Sequence, residues 1–237
     1  MCCKDCANDN LNDNTKLDKM KIYMFSSPYT LNRYLDLIFS PIENDTTDNL
    51  YRCAIWLSYM GLTVDEMSCI KITDVDLYRR VIVYNNHPYI IFDEAFASIE
   101  NCVKAPAYYY PNNSYYNKKG IWRDRVGDYL LRGKNPSLKP KTIADTVYAI
   151  GKRAYANGVA SKMIHFEELS LSGQFYNLRK DQLERGVEPD MKSLVLFQMS
   201  KRSRTSPEGS RIFKSCVSKN KRVMRDKYLQ WCEAGVF

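Results

Sequence analysis

Apolar side chains recur three and four residues apart over most of the chain, which is the spacing of one face of an amphipathic helix. The clearest stripe is formed by Ile143, Val147, Ile150 and Ala154, and Gly158 follows it as a stop signal. The same spacing predicts helices over 28–39, 93–103, 141–157, 167–185, 190–199 and 211–232, and one that follows the capping residues 45–48 and ends at Gly61.

Thr63 predicts the start of a further helix, because its side chain can accept a hydrogen bond from the backbone of a first helical turn. Glu66 stands three residues later, as in a capping box, and we therefore expect a helix from this point to about Ile70.

Two short runs of strand-forming residues, 80–84 and 89–92, flank the turn signal Asn85-Asn86 and predict a β-hairpin. The segment 105–119 is rich in Tyr, Asn and Pro and predicts a loop. Its tyrosines favour packing or partner contact, with stacking on single-stranded nucleic acid as the alternative. The predicted fold class is therefore mainly α with a small antiparallel β-hairpin.

The apolar pattern also suggests how the chain is divided. Residues 1–24 are rich in Asn and Asp and predict a mobile leader. Residues 25–45 predict a short helical N-terminal segment, and residues 46–237 predict one larger domain.

The distribution of charge along the chain suggests a class of binding partner. The chain of 237 residues has a formal net charge of +8, and its last thirty-seven residues hold ten Lys or Arg against three acidic residues. An end-weighted positive field favours a polyanion such as nucleic acid, while an ordinary solvated basic helix is the alternative. No apolar run approaches the roughly 18 residues of a membrane span, and the N-terminus lacks secretory-signal order, so a soluble cytoplasmic protein is expected.

The eight cysteines do not form a metal-binding pattern. Cys2, Cys3 and Cys6 cluster at the start, but no second pair stands at zinc spacing, so we expect reduced thiols and neither a metal nor another cofactor. The alternative is a metal held by Cys3 and Cys6 together with ligands from another chain or a distant loop.

Three stretches carry a family resemblance. Residues 56–67 (WLSYMGLTVDEM) resemble the first conserved box of tyrosine recombinases, and 70–76 (IKITDVD) is similar to that family's entry to its sheet. Residues 172–178 (SGQFYNL), continuing to 183–187 (LERGV), resemble the second box. This resemblance covers roughly 46–237 and implies the catalytic-domain fold of tyrosine recombinases and phage integrases.

The residues that this family uses for strand cleavage are replaced. The resemblance places Thr63 at the first arginine, Ser172 at the box-two histidine and Phe175 at its arginine, with only His87 titratable near the hairpin lysine. No tyrosine lies between Tyr176 and Tyr228, where the nucleophile is expected. Without these cations and the nucleophile, the resemblance implies an inactive scaffold and no enzyme activity.

Two alternatives stay open on the same motifs. A shifted register would place Arg179 at the box-two arginine, although it makes the helix to Gly186 about one turn too short. A divergent active recombinase would use Tyr228 as its nucleophile.

A narrower resemblance is to the MrpR-type master repressors of the lytic cycle of SPβ-like prophages, which are catalytically inactive relatives of recombinases. It rests on 38–43 (IFSPIE), 92–95 (FDEA), 171–176 (LSGQFY) and 184–190 (ERGVEPD). It implies a phage regulator that binds double-stranded DNA at the bacterial nucleoid without recombining it. Only about fifty residues precede the first box, so the family's N-terminal clamp domain is truncated, absent or supplied by another chain. The alternative is a modulator of a full-length repressor or recombinase, acting through homo-oligomers or a phage protein partner.

The resemblance places the helix over 141–157 against a DNA groove, and we expect basic residues around it to contact phosphates. An ordinary solvated surface is the alternative for each of them. The candidate DNA-binding residues are Arg123, Arg125, Arg132, Lys139, Lys141, Thr142, Lys152, Arg153, Arg179, Lys180, Lys201, Arg202 and Arg204.

Overall fold

The computed structural model describes residues 25–39, 47–110, 121–160, 163, 165–202 and 211–234. Within them the chain is mainly helical, with a three-stranded and a two-stranded antiparallel sheet. The predicted leader over residues 1–24, including Cys2, Cys3 and Cys6, lies outside these ranges.

The helices follow the apolar stripes to within a few residues at most of their ends. In chain order they are α1 (Pro28–Ile38), α2 (Thr47–Tyr59), α3 (Val64–Met67), α4 (Asp93–Lys104), α5 (Pro140–Ala156), α6 (Phe166–Arg185), α7 (Met191–Arg202) and α8 (Arg211–Ala234).

The predicted hairpin is confirmed. Strands β2 (Val81–Tyr84) and β3 (His87–Ile90) pair antiparallel around Asn85 and Asn86, both of which have positive φ angles as a tight hairpin turn requires. A two-residue strand β1 (Val75–Asp76) pairs with the other edge of β2. The returning strand begins at His87, two residues earlier than predicted, because the pairing of Tyr84 with His87 closes the turn directly.

A second hairpin was not predicted. Strand β4 (Ala107–Tyr110) pairs with β5 (Ile121–Asp124), so the expectation of a loop over all of 105–119 is wrong at its beginning. The run AYYY lacks the alternation of apolar and polar residues that marks a strand, and its partner lies beyond ten intervening residues.

The helix that Thr63 starts is shorter than expected. Thr63 and Glu66 form the predicted capping box, but α3 ends at Met67 and not near Ile70. The chain beyond it bonds a distant segment, since the Leu130 amide donates to the Ile70 carbonyl and the Ile72 amide to the Asp128 carbonyl. These tertiary hydrogen bonds satisfy the backbone in place of further helical turns.

Helix α2 is the centre of the core. Five consecutive residues, Cys53, Ala54, Ile55, Trp56 and Leu57, are fully buried, because α4, α5 and α6 all pack against this helix. A helix that is apolar around its whole circumference must be covered on every side.

The N-terminal segment joins this core. The Leu31 and Leu35 side chains of α1 are fully buried in the same cluster, and the amide of Phe25 donates to Ser172 Oγ at 3.1 Å. The segment from residue 25 to α1 therefore packs as part of the body of the protein.

Helices α6, α7 and α8 share a smaller apolar cluster. It contains Phe175, Met191, Leu194, Tyr228 and Trp231, all of them buried. None of the helices in the described ranges combines the length and apolar character needed to cross a membrane.

Candidate nucleic-acid interface

Helix α5 is fixed by its apolar stripe and its ends. Ile143, Val147 and Ala154 are buried against the core. Pro140 occupies the first turn, where its missing amide costs nothing. The helix stops before Gly158, whose φ of +68° suits glycine.

The opposite face of α5 is exposed and carries two rows of polar side chains, both of which include cations. Successive residues turn by about 100°, so Lys141 and Lys152 point in nearly the same direction about 16.5 Å apart along the axis. Thr142 and Arg153 form a parallel row, and all four side chains are exposed. The exposed side chains of Ala149 and Asp145 lie between the two rows.

The cations of this face have no internal partner. The side chains of Lys141, Lys152 and Arg153, and that of the N-cap residue Lys139, form neither a hydrogen bond nor an ion pair with any residue in the described part of the chain. Some other exposed cations do have a carboxylate neighbour: Lys71 lies 3.3 Å from Asp128, Arg185 3.6 Å from Asp181 and Lys180 4.0 Å from Glu184. None of these four cations is therefore held in an ion pair by a described residue.

Arg125 and Arg132, predicted to line the same DNA channel, are 8% and 6% exposed. Arg132 donates to the carbonyls of Cys102 and Val103, and Arg125 donates to the carbonyl and side chain of Asn101. Both guanidinium groups therefore bind the C-terminal carbonyls of α4, where the helix dipole favours cations. Burial and the neighbouring charge of Arg125 lower the pKa of Arg132. In this position they stabilise a helix end, and little of either side chain is exposed to a ligand.

The remaining candidates are scattered. Arg123 is half-buried on β5, opposite Tyr108, and Arg179 is half-buried with one nitrogen donating to Gln182 Oε1 at 2.9 Å. Lys180 is exposed on α6. Lys201 and Arg202 form the end of α7, and Arg204 lies outside the described residues.

The three positions that the sequence resemblance aligned with recombinase catalytic residues all have structural contacts. Thr63 caps α3 through Glu66. Ser172 is fully buried and donates to the Glu168 carbonyl at 2.7 Å, and Phe175 is fully buried against the rings of Tyr228 and Trp231. His87 is exposed on β3 with its ring edge-on to Tyr89.

Tyr228 is the tyrosine of the alternative that keeps recombinase activity. It is 3% exposed, and its hydroxyl donates to Gln182 Oε1 at 3.0 Å. Burial and the Cys232 side chain raise its pKa well above the usual value, and a hydrogen bond with Arg179 offsets this only in part. Arg225 lines a pocket with Tyr228, so cations and a tyrosine do lie together here. The hydroxyl is nevertheless buried and already hydrogen-bonded, and a raised pKa disfavours the phenolate form that a nucleophile needs.

An acidic pocket of about 400 Å³ adjoins α5. Asp145, Tyr148, His165, Glu167 and Glu168 line it. In the described ranges no three His, Cys, Asp or Glu side chains are arranged to hold a metal ion. Asp145 lies one turn after Lys141, so it brings a carboxylate of this pocket onto the exposed face of α5.

Neither a protein-family model nor a curated protein matches this chain.

Proposed function

We propose that the protein binds double-stranded DNA through the exposed face of α5 and acts as a regulator, a repressor of prophage lytic genes, without cleaving its site. The observation that carries this proposal is the set of exposed, unpartnered cations Lys139, Lys141, Lys152 and Arg153 on one helix. The net charge of +8 supports the same kind of partner.

The geometry of α5 suits a groove. A helix of 17 residues is about 25 Å long, and a major groove admits a helix whose flanks meet the two phosphate backbones. The Lys141–Lys152 row and the Thr142–Arg153 row supply those flanks. Ala149 between them lets the helix approach base edges, and a methyl group there can contact a thymine methyl.

The contacts of the positions aligned with recombinase catalytic residues support binding without cleavage. Phosphoryl transfer to a tyrosine needs an activated hydroxyl and cations around the phosphate. Thr63 and Phe175 supply no cation, and the Tyr228 hydroxyl is buried with a raised pKa. The role in lysogeny rests on the sequence resemblance to inactive, repressor-type recombinase relatives.

Salt-dependent binding tests the proposal. Fluorescence anisotropy with duplex fragments of the surrounding phage genome should show binding that weakens steeply with salt. The slope of the logarithm of the binding constant against the logarithm of the salt concentration should fall in magnitude by about 0.9 for each lost phosphate contact. The variant Lys152→Gln with Arg153→Gln should lower the slope by about two units. Lys180→Gln with Arg185→Gln removes the same charge from α6, where both cations have carboxylate neighbours, and should leave the slope nearly unchanged.

Absence of binding at low salt, or equal slopes for the two double variants, would overturn this assignment of α5. A covalent protein–DNA adduct that disappears in Tyr228→Phe would show instead that the chain is an active recombinase.

A second candidate function, modulation of another DNA-binding protein, is favoured by the second hairpin. Trp122 is 63% exposed and stands edge-on to Tyr109 across the strand pair. Exposed aromatic residues of this kind are enriched in protein interfaces. Loss of binding to a co-encoded repressor or recombinase in Trp122→Ser, with DNA binding intact, would support it.

A further inference from the structure

Helices α6, α7 and α8 enclose a pocket of about 250 Å³ that the DNA-binding proposal does not use. We name it the α8 pocket. It is lined by Gln182, Glu188, Pro189, Met191, Lys221, Arg225, Tyr228 and Leu229.

Two cations stand together on the α8 side of this pocket. Lys221 and Arg225 are four residues apart, so they lie one turn apart on the same face of the helix and repel each other. Both are exposed, and neither forms a hydrogen bond or an ion pair with a described residue. Glu188 lines the same pocket but makes no ion pair with either of them within 4.0 Å. An anion placed between the two cations would relieve their repulsion.

The rest of the lining is largely apolar. Met191 and Tyr228 are 4% and 3% exposed and contribute to the floor, and the Tyr228 hydroxyl is already held by Gln182. Leu229, at 47% exposed, is a leucine left uncovered beside the cations. Burial of such surfaces against an apolar ligand is favourable.

Size and chemistry together select the class of ligand. A cavity of about 150 Å³ accommodates a benzene molecule, so the α8 pocket has room for a ring or short chain with a charged group. We propose that this pocket binds a small amphipathic organic acid, with its carboxylate between Lys221 and Arg225 and its apolar body against Met191, Tyr228 and Leu229. This proposal stands independently of DNA binding.

Calorimetric titration of the full chain with benzoate tests the site. Benzoate should bind saturably, and benzamide, which has the same shape without the charge, should bind about tenfold more weakly or worse. Lys221→Gln with Arg225→Gln should weaken benzoate binding by at least about tenfold. The matched control is Arg222→Gln with Lys227→Gln, which removes two exposed cations of α8 that do not line the pocket and should leave benzoate affinity within about twofold.

Thermal unfolding of both double variants separates loss of binding from loss of folding, since all four replaced side chains are exposed and their removal should hardly change the melting temperature. Equal affinity for benzoate and benzamide, or equal affinity in the two double variants, would overturn the proposal. Binding of inorganic phosphate as tightly as benzoate would also overturn it, since the apolar floor would then contribute nothing. No saturable benzoate binding in the millimolar range would refute it directly.

Discussion

The carbonyl oxygen of Tyr59 occupies the space beside Gly173 where any other residue would carry its Cβ atom. A Cβ built on Gly173 would lie 1.7 Å from that oxygen. Since Tyr59 ends α2 and Gly173 lies within α6, this approach sets how closely the two helices pack. The Ser58 hydroxyl donates to the Phe166 carbonyl at 3.0 Å and ties the same helices together.

Replacement of Gly173 by alanine is therefore expected to destabilise the protein by more than about 3 kcal/mol, because backbone and not a flexible side chain must move. Urea denaturation measures the change. Gly158→Ala is the matched control: its Cβ meets nothing within 4 Å, and only the positive φ should cost about 1 kcal/mol. A Gly173→Ala chain within 1 kcal/mol of the parent protein would show that the helices can separate at little cost.

Arg132 gives a prediction that separates a structural role from a DNA contact. Replacing it with methionine removes the donors to the Cys102 and Val103 carbonyls, at an expected cost of about 2–4 kcal/mol in unfolding free energy. Lys134→Met, at an exposed neighbour, should cost less than about 0.5 kcal/mol. The salt slope of DNA binding, measured below the unfolding temperature, should be the same in both variants. A slope reduced only in Arg132→Met would restore this residue to the DNA interface.

Alkaline pH should destabilise the fold. The hydrogen bond with Cys102 and burial raise the pKa of Cys53 well above 9.0, and burial raises the pKa of Tyr34 and of Tyr89 from 10.0 to about 12. The folded chain keeps these protons where the unfolded chain releases them. Unfolding therefore releases protons, and the free energy of unfolding falls as pH rises above about 9.

Urea denaturation between neutral pH and pH 11 checks this expectation. Tyr34→Phe should flatten the decline above pH 10, since the group that titrates only in the unfolded chain is gone. A decline equally steep in the variant would assign the effect to other groups.

Asp145 gives a prediction of increased affinity. It lies on the exposed face of α5 between Lys141 and Lys152, where a carboxylate repels phosphate. At a separation of about 8 Å in water one such repulsion is worth about 0.5 kcal/mol, so Asp145→Asn should bind DNA two- to threefold more tightly at low salt. Asp226→Asn on α8 makes the same charge change and should have a smaller effect. Unchanged or weaker binding by Asp145→Asn would place the DNA elsewhere.

Several features could be predicted because their causes are local. The capping pair Thr63 and Glu66, the Asn85-Asn86 turn and the stripe through Ile143 and Val147 each depend on residues within one element. The second hairpin could not be predicted, because β4 is fixed by a partner strand beyond residue 120. The end of α3 was also decided by distant hydrogen bonds.

The candidate site also has features that the sequence predicted and features that it could not predict. The sequence placed Lys141, Lys152 and Arg153 on the polar side of a helix, because helical periodicity alone separates them from the apolar stripe. It gave no indication that Arg125 and Arg132 are buried, since that depends on the end of α4 lying some thirty residues earlier in the chain. The sequence also could not predict that Lys221 and Arg225 lie beside the apolar floor of the α8 pocket, because Met191 and Tyr228 come together only in the folded chain.

The sequence by itself determined the order of helices, the Thr63 cap, one tight turn and the positive balance of charge, because these follow from neighbouring residues. Only the tertiary structure decided which cations remain exposed, how closely Gly173 approaches Tyr59, and that the Tyr228 hydroxyl is buried. Burial and pairing depend on surfaces from distant parts of the chain, and local periodicity does not specify which of those surfaces meet.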